Sequence, residues 1–318
     1  VTHPADPAPG DDPLGERDDL IAGFQVEDRA LRGRALHAGE TLNLILSAHD
    51  YPAPIARLLG EAVMIAALVG DAMKFQGRLI VQANGAPGAP LRFVVAEFVA
   101  GEGVRGFAQM DRAAVETALA GEAGETGLVK TLLGEGTFAM TIDQGPDMDQ
   151  YQGLAPLEGD SLAESAEHYF RQSEQTPTRL RLAVGEIWDG EGVKTWRGGG
   201  AMLQAVAGDE ARGDTDEDWE HGLALFDTVT DAELLDPDLS LGRLLFRLFN
   251  KDGVRILPGN PVQRRCSCEP GRLARIIASF PESDVAEMVE DGRIVMTCEY
   301  CNKDFAFTPE EVEAARAG

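Results

Sequence analysis

Cysteine occurs four times in the 318-residue chain, as Cys266-Ser-Cys268 and Cys298-Glu-Tyr-Cys301 near its carboxy terminus. Two tight thiol pairs, separated by a stretch long enough to fold back, are the ligand set of a closed tetrahedral zinc site with sulfur at about 2.3 Å. The second pair has knuckle spacing. The first has a single intervening residue, a tighter chelate than the usual two to four. Ferredoxin-type iron–sulfur runs are spaced differently. A permanent disulfide set belongs to oxidising compartments. The expected ligands of a Zn2+ ion are therefore Cys266, Cys268, Cys298 and Cys301.

A closed four-thiolate site is ordinarily structural. Oxidation would consume the sulfur lone pairs that hold the metal, and each pair is placed to close a disulfide. Cys298 and Cys301 form the common Cys-x-x-Cys; Cys266 and Cys268 would close a small strained ring that is easily reduced again. Arg264 and Arg265 beside the first pair should favour thiolate character. Three readings stay open on these residues: a redox switch, a thiol–disulfide oxidoreductase using Cys298 and Cys301, and a constitutive zinc-binding interaction module. No thioredoxin-like βαβ pattern surrounds the second pair, which weighs against the oxidoreductase.

Other motifs carry less. Gly101-Glu-Gly103-Val-Arg-Gly106 matches the dinucleotide fingerprint letter for letter. Strand-like residues flank it on both sides and no helix opens there, so it reads as a hairpin turn. Gly134-Glu-Gly136 lacks the Gly-Lys-Ser/Thr of a P-loop. Asp143, Asp147 and Asp149 lack the glycine and terminal glutamate of a calcium loop. His3, His37, His49, His168 and His221 show no metal or catalytic spacing, and no catalytic site is expected.

The formal net charge of −26 argues against a nucleic-acid partner, because neutralising phosphates needs a basic surface. The longest apolar run, Val63–Val69, falls short of a bilayer span, so no membrane partner and a soluble, cytoplasmic protein are expected. Residues 1–18, rich in Pro, Gly and Asp, read as a disordered tail without a signal-peptide apolar region.

The elements that must position the thiols follow from periodicity. Residues 19–207 read as a mixed α/β core domain. Its opening helix, Ala53–Phe75, is apolar on nearly all sides and so buried. Strands are expected at Arg78–Ala83, Leu91–Val99, Val104–Met110, Thr137–Asp143, Arg179–Trp188 and Ala201–Ala207, and helices at Arg112–Leu119 and Leu162–Gln172. Ser161 with Glu164 reads as a capping box. Residues 208–262 read as a helical, metastable linker. Trp219, Leu223, Phe226 and Val229 form one stripe; Leu241, Leu244, Leu245, Leu248 and Phe249 form another. Such short amphipathic helices cannot stand alone in water. The acidic run Asp209–Asp238 and the basic group Arg243, Arg247, Lys251, Arg255, Arg264 and Arg265 are either solvated faces or electrostatic ties that can let go. Residues 263–318 form a unit too small for its own core, which a metal staple would complete; Thr308-Pro309-Glu310-Glu311 caps its last helix. The fold class is α+β: core, linker and C-terminal zinc-binding redox-switch domain.

The cysteine pattern resembles the redox-switch domain of the 33-kDa heat-shock protein family of bacterial holdase chaperones. Leu59-Gly-Glu61, Lys74-Phe-Gln-Gly77-Arg-Leu79, Tyr169-Phe-Arg-Gln-Ser173-Glu-Gln175-Thr-Pro177-Thr178, Gly198-Gly-Gly200-Ala-Met-Leu-Gln204, Leu244-Leu-Phe-Arg247-Leu-Phe and Val254-Arg255 are similar to other signatures of that family. The likeness spans about residues 19 to 315; the amino-terminal tail looks like an extension, and the acidic 209–218 loop is longer and more charged than expected. The resemblance implies an ATP-independent chaperone, not an enzyme, that is idle when reduced and zinc-bound. It implies that oxidation joins Cys266 with Cys268 and Cys298 with Cys301, releases zinc, unfolds the small domain and undocks the linker. Its implied partners are unfolded client proteins and, on activation, a second copy in a homodimer.

Overall fold

The computed structural model describes residues 12–15, 17–27, 29–73, 77–120, 127–145, 148–188, 192–206 and 215–317. The chain packs as two compact units, one ending at Arg264 and the other running from Arg265, with Ala48–Asp50 clustering with the second.

The first unit runs β1 (Leu20–Val26), β2 (Leu31–Ala38), α1 (Glu40–Leu46), α2 (Ala53–Ala72), β3 (Arg78–Asn84), β4 (Leu91–Val99), β5 (Gly103–Met110), α3 (Arg112–Leu119), α4 (Leu128–Leu133), β6 (Thr137–Asp143), β7 (Tyr151–Pro156), α5 (Leu162–Tyr169), β8 (Thr178–Trp188), β9 (Lys194–Ala205), α6 (Asp216–Phe226), α7 (Asp231–Leu235), α8 (Leu241–Phe249), β10 (Val254–Ile256) and β11 (Asn260–Pro261). Its strands form two antiparallel sheets. One has the order β10-β1-β2-β9-β8 with β11 also on β1; the other has the order β5-β4-β3-β6-β7.

Helix α2 is apolar all round because both sheets cover it. Leu59, Val63 and Leu68 share one buried core with Leu36, Leu180 and Met202 of the first sheet and Val81, Val94 and Val104 of the second. By length and composition alone this 20-residue helix would pass for a bilayer span, which corrects the reading that no run approaches one; here protein surrounds it. It ends at Ala72, where Met73 turns extended, rather than at Phe75. The Gly101–Gly106 fingerprint is the β4–β5 hairpin, with Gly101 at φ +76° and Glu102 N–H donating to the Val99 carbonyl at 2.9 Å.

Several elements depart from expectation. β1, β2, α1, β7 and the first half of β9 were not foreseen. The expected Leu162–Gln172 helix gives way to a π-helical turn over Phe170–Glu174. Only half of the Ser161 capping box forms: Ser161 Oγ accepts from Glu164 N–H at 3.2 Å, while the Glu164 carboxylate accepts from Asp160 N–H. The tail reading fails at its end, where Leu14 is buried and the Asp12 carboxylate accepts from Ser240 Oγ; residues 1–11 lie outside the described residues, as do residues 207–214 of the acidic loop.

The second face of the first sheet carries the linker. Residues alternate across a strand, so Leu20, Ala22, Phe24, Leu31, Ala35, Ala201 and Leu203 point away from α2 and bury Phe226, Leu241, Leu245 and Phe249 of α6 and α8. Leu234 of α7 joins Val229, Leu239 and Leu244 over Ala183. At Gly199 a Cβ would collide with the Leu234 backbone, so glycine lets α7 lie directly on the sheet. The linker is not wholly helical. β10 and β11 pair with the open edge of β1 and give its N–H and C=O groups partners.

The second unit runs α9 (Pro270–Ala278), α10 (Glu282–Glu287), β12 (Ile294–Thr297), β13 (Asp304–Phe307) and α11 (Pro309–Ala317), with β12 and β13 forming an antiparallel hairpin. Its core is small: Leu273, Ala274, Ile277, Ala278, Val285, Ile294, Phe307 and Val312. The final helix has a complete capping box. Glu311 N–H donates to Thr308 Oγ1 at 3.3 Å, and Thr308 N–H donates to Glu311 Oε2 at 2.9 Å.

Candidate metal centre and its neighbouring linker

Cys266 and Cys268 sit on the irregular segment that enters α9, whose first helical residue is Pro270; there Glu269 N–H donates to the Ser267 carbonyl at 3.0 Å. Cys298 and Cys301 occupy the β12–β13 turn. There Cys298 N–H donates to the Lys303 carbonyl at 3.0 Å, and Asn302 N–H donates to the Cys298 carbonyl at 2.7 Å. Asn302 adopts φ +52°, a conformation asparagine tolerates better than most residues. Thr297 Oγ1 closes the base of the turn on Asp304 at 2.6 Å. The two pairs thus come from a loop and a hairpin tip held by one small core.

All four sulfurs lie within 4.8 Å of one another, and each cysteine is half-buried. Cys266 Sγ is 3.7 Å from Cys298 Sγ, and Cys268 Sγ is 3.5 Å from Cys301 Sγ. A regular tetrahedron with ~2.3 Å metal–sulfur bonds has edges of about 3.8 Å, so these cross-pair distances suit one ion shared by all four. Within the first pair the sulfurs approach to 2.8 Å, compressed by the single intervening residue. The donor set fits a soft divalent ion such as zinc. Among the described residues, no other cluster of His, Cys, Asp or Glu has ligand geometry.

Burial pushes the thiols of Cys266, Cys268 and Cys301 up. Burial is the largest influence on Cys298 and opposes its ionisation, but backbone hydrogen bonds from Cys301 and Tyr300, together with the Cys301 and Cys266 thiols, hold it below its ordinary value. This corrects the expectation that Arg264 and Arg265 make the first pair the thiolate-prone one. The turn amides select Cys298 instead.

The polar ties of the linker were only partly foreseen. Asp218 of α6 accepts from Arg29 Nη1 at 3.0 Å and from Ala30 N–H at 2.9 Å. The latter bond contributes most to holding its carboxyl below the usual range. Asp252 pairs with Arg29 at 3.2 Å and with His221 at 3.0 Å. Arg179 of β8 bridges Asp227 at 2.8 Å and Glu167 at 3.2 Å, and Arg181 Nη2 donates to the Val229 carbonyl at 3.0 Å. Asp218 and Asp227 of the acidic run are therefore ties. The run's density was visible in the sequence. Which of its carboxylates meet Arg29 and Arg179 was not, because Asp218 lies 189 positions from Arg29 and Asp227 lies 48 from Arg179. Of the stripe residues, Phe226, Leu241 and Leu244 are buried, Trp219 and Leu248 are half-buried against the clusters, and Leu223 lines a cleft with Trp219.

Residues 19–308 match the family described as Hsp33 protein. A relative from Caulobacter vibrioides, the 33 kDa chaperonin of strain NA1000 / CB15N, is 50% identical over 296 residues, covering 93% of this chain and 96% of the relative. The 33 kDa chaperonin of Escherichia coli strain K12 / DH10B is 32% identical over 299 residues, covering 94% and 95%. The crystal structure of the 33 kDa chaperonin (heat shock protein 33 homolog) of Thermotoga maritima shares the fold, with a TM-score of 0.74 at 21% identity and coverage of 94% and 98%. On the match across most of its length, the chain belongs to the Hsp33 family.

Proposed function

We propose that this chaperone-family chain is an ATP-independent holdase of the cytoplasm, gated by oxidation of its four cysteines. The observation that carries the reading is the convergence of all four sulfurs within 4.8 Å in a unit with only eight buried apolar residues at its core. A bound zinc ion would supply a four-way crosslink worth on the order of 10–16 kcal/mol, which becomes folding energy for so small a unit.

In the Cys298–Cys301 pair, Cys298 serves as the nucleophile toward an oxidant such as a peroxide. Its thiolate attacks one peroxide oxygen, the O–O bond breaks, and a sulfenic acid forms with loss of water or alcohol. Cys301 then displaces the hydroxyl of that sulfenic acid, closing the disulfide and releasing water. Cys266 and Cys268 close the other disulfide with a second equivalent. Each thiol pair gives up two electrons to its oxidant in becoming a disulfide, and neither pair can then hold a metal.

The second unit would unfold at its small core. Residues 260–263, held within the first unit by Thr41 Oγ1 on the Val262 carbonyl and by Val104 N–H on the Gln263 carbonyl, are separated from the first pair only by Arg264 and Arg265. Strain there would pass to β11, β10 and α8. Release of α6 and α8 exposes Phe226, Leu241, Leu245 and Phe249, an apolar face flanked by charge that can hold unfolding proteins while staying soluble. The same surface offers a site for a second copy.

The test follows zinc release with a colorimetric chelator, under peroxide and mild heat, beside suppression of aggregation of a generic unfolding protein. Coincident zinc loss and protection supports the proposal. Thiol turnover with a small reductant, or protection indifferent to oxidant, overturns it.

A further inference from the structure

Strand β1 is held along its outer edge by a poor partner. Val262 N–H donates to the Asp19 carbonyl at 2.8 Å, Leu257 N–H to the Gly23 carbonyl at 2.8 Å, and Glu27 N–H to the Gly253 carbonyl at 2.9 Å. Gln25, opposite Arg255, turns its backbone groups the same way by alternation. The linker meets this edge with only the three residues of β10 and the two of β11, interrupted by Leu257-Pro258-Gly259 and closed by Pro261. Proline has no amide to donate, and glycine has no side chain to pack.

β1 itself has the opposite character. Leu20-Ile-Ala-Gly-Phe-Gln-Val26 contains no charged residue and no proline, two of the devices that ordinarily keep an edge from pairing with a foreign chain. β8, at the far edge of the same sheet, carries Arg179, Arg181 and Glu186. The resident strand also shows what an occupant must present. Ile256 and Val254 stand opposite Phe24 and Val26 and pack on the apolar cluster of the outer face, while Arg255 between them is exposed. Ala22 and Leu20 continue that apolar stripe, but beyond Ile256 the linker runs into Pro258-Gly259 and sets Pro261 opposite Leu20. The resident therefore fills only two of four positions with side chains suited to a strand.

We propose that β1, once β10 and β11 leave it, is a strand-addition site whose occupant is an extended segment of an unfolding protein with apolar side chains at alternate positions. This deepens the holdase reading above and rests on the linker release proposed there. The client's intervening residues take over the backbone bonds now made by Gly253, Arg255 and Leu257, and its apolar residues lie beside Phe24 and Val26. Backbone bonds give such a site its affinity without regard to sequence, and alternate side chains give it a preference for strand-forming segments. An uninterrupted client strand can use all four positions, so it outcompetes the broken resident.

The test uses the full chain, oxidised and metal-free, with a fluorescent heptapeptide of alternating threonine and valine as probe and its anisotropy as readout. Set on β1 as Val254 and Ile256 are, its valines meet Phe24 and Val26 while its threonine amides bond the edge. N-methylation of the threonines should weaken binding at least about tenfold, since each lost bond is worth roughly two- to tenfold. N-methylation of the valines, whose amides point away from β1, should leave binding unchanged. Gln25→Pro removes one outward amide of β1, a change an edge strand tolerates, and should weaken the unmodified peptide with α2 exchange unaltered. Ile256→Asp lifts β10 from the reduced protein without oxidation, as β10 amide exchange reports, and should open the same site. Equal binding of the two methylated peptides, or no binding to reduced Ile256→Asp protein whose β10 amides exchange freely, overturns the site. Binding to that variant but not to the oxidised wild type supports the site and overturns only oxidative release of the linker, so the two failures are distinguishable. Dimerisation that excludes excess peptide gives the edge to a second copy and overturns its assignment to clients.

Discussion

Phe249→Ala should loosen the linker without touching a cysteine. Phe249 closes α8, is fully buried, and stacks on Phe24 of β1 with ring centroids 5.7 Å apart and planes at 30°. Truncating a buried phenylalanine costs about 3–5 kcal/mol, of which the aromatic pair contributes roughly 0.5–1.5. The ring belongs to the cluster of α6, α8 and the outer face of β1, not to the α2 core, so the loss should fall on linker docking. At about 1.4 kcal/mol per tenfold, α8 amide protection should drop on the order of a hundredfold to a thousandfold. Amides of α2 and of α9 should keep theirs. The assay is hydrogen exchange on reduced, zinc-loaded protein, paired with light scattering of an unfolding client, where partial protection without oxidant is expected. Unchanged α8 protection, or loss in step with α2, would refute the reasoning that this segment is an independently releasing element.

Three further outcomes follow from charge. Burial, and then the neighbouring Arg197, push His37 down to about 4 despite Asp18 and Asp236. The unfolded chain takes up the proton first, so stability should fall as pH drops from about 6.5 to 4, by roughly 2–3 kcal/mol; His37→Gln should flatten that slope in denaturant titrations. Glu61 has the opposite sign. Burial lifts it to about 7, even though it accepts Leu162 N–H at 2.8 Å, so stability should fall as pH rises from about 4.5 to 7, and Glu61→Gln should gain about 1–2 kcal/mol at pH 8. Asp218→Asn weakens the tie to Arg29 and Ala30 and should cost about 1–2 kcal/mol, read as faster exchange in α6 at neutral pH; because the wild-type carboxyl is held below the usual carboxylate range, the difference should shrink only on strong acidification.

Much of the architecture was legible where local and tertiary preferences agree. The β3, β4 and β6 runs alternate or are continuously apolar, and α2 is greasy all round because two sheets need it. The cysteine quartet was legible because its chemistry allows few alternatives. What escaped notice depends on distant neighbours. β9 opens on Lys194-Thr-Trp-Arg and then carries three glycines in a row, which are poor strand formers by propensity, yet Gly199 is required by the Leu234 backbone lying on it. β2 carries Gly33 between two arginines, where a Cβ would run into the Phe24 ring and the Met202 carbonyl. β10 and β11 are three and two residues long and exist only because β1 offers an open edge. Likewise, the thiol held down is Cys298, through amides of its own turn and neighbouring sulfurs, and not one of the first pair beside Arg264 and Arg265.

Amide exchange of the second unit, before and after peroxide, tests most directly whether the four sulfurs hold that unit folded and whether their oxidation lets it go. In the reduced, zinc-loaded protein, Leu273, Ile277, Ile294, Phe307 and Val312 should be strongly protected. After two disulfides have formed they should exchange at the rates of an unfolded chain. Retained protection of those five amides in fully oxidised, metal-free protein would contradict the account.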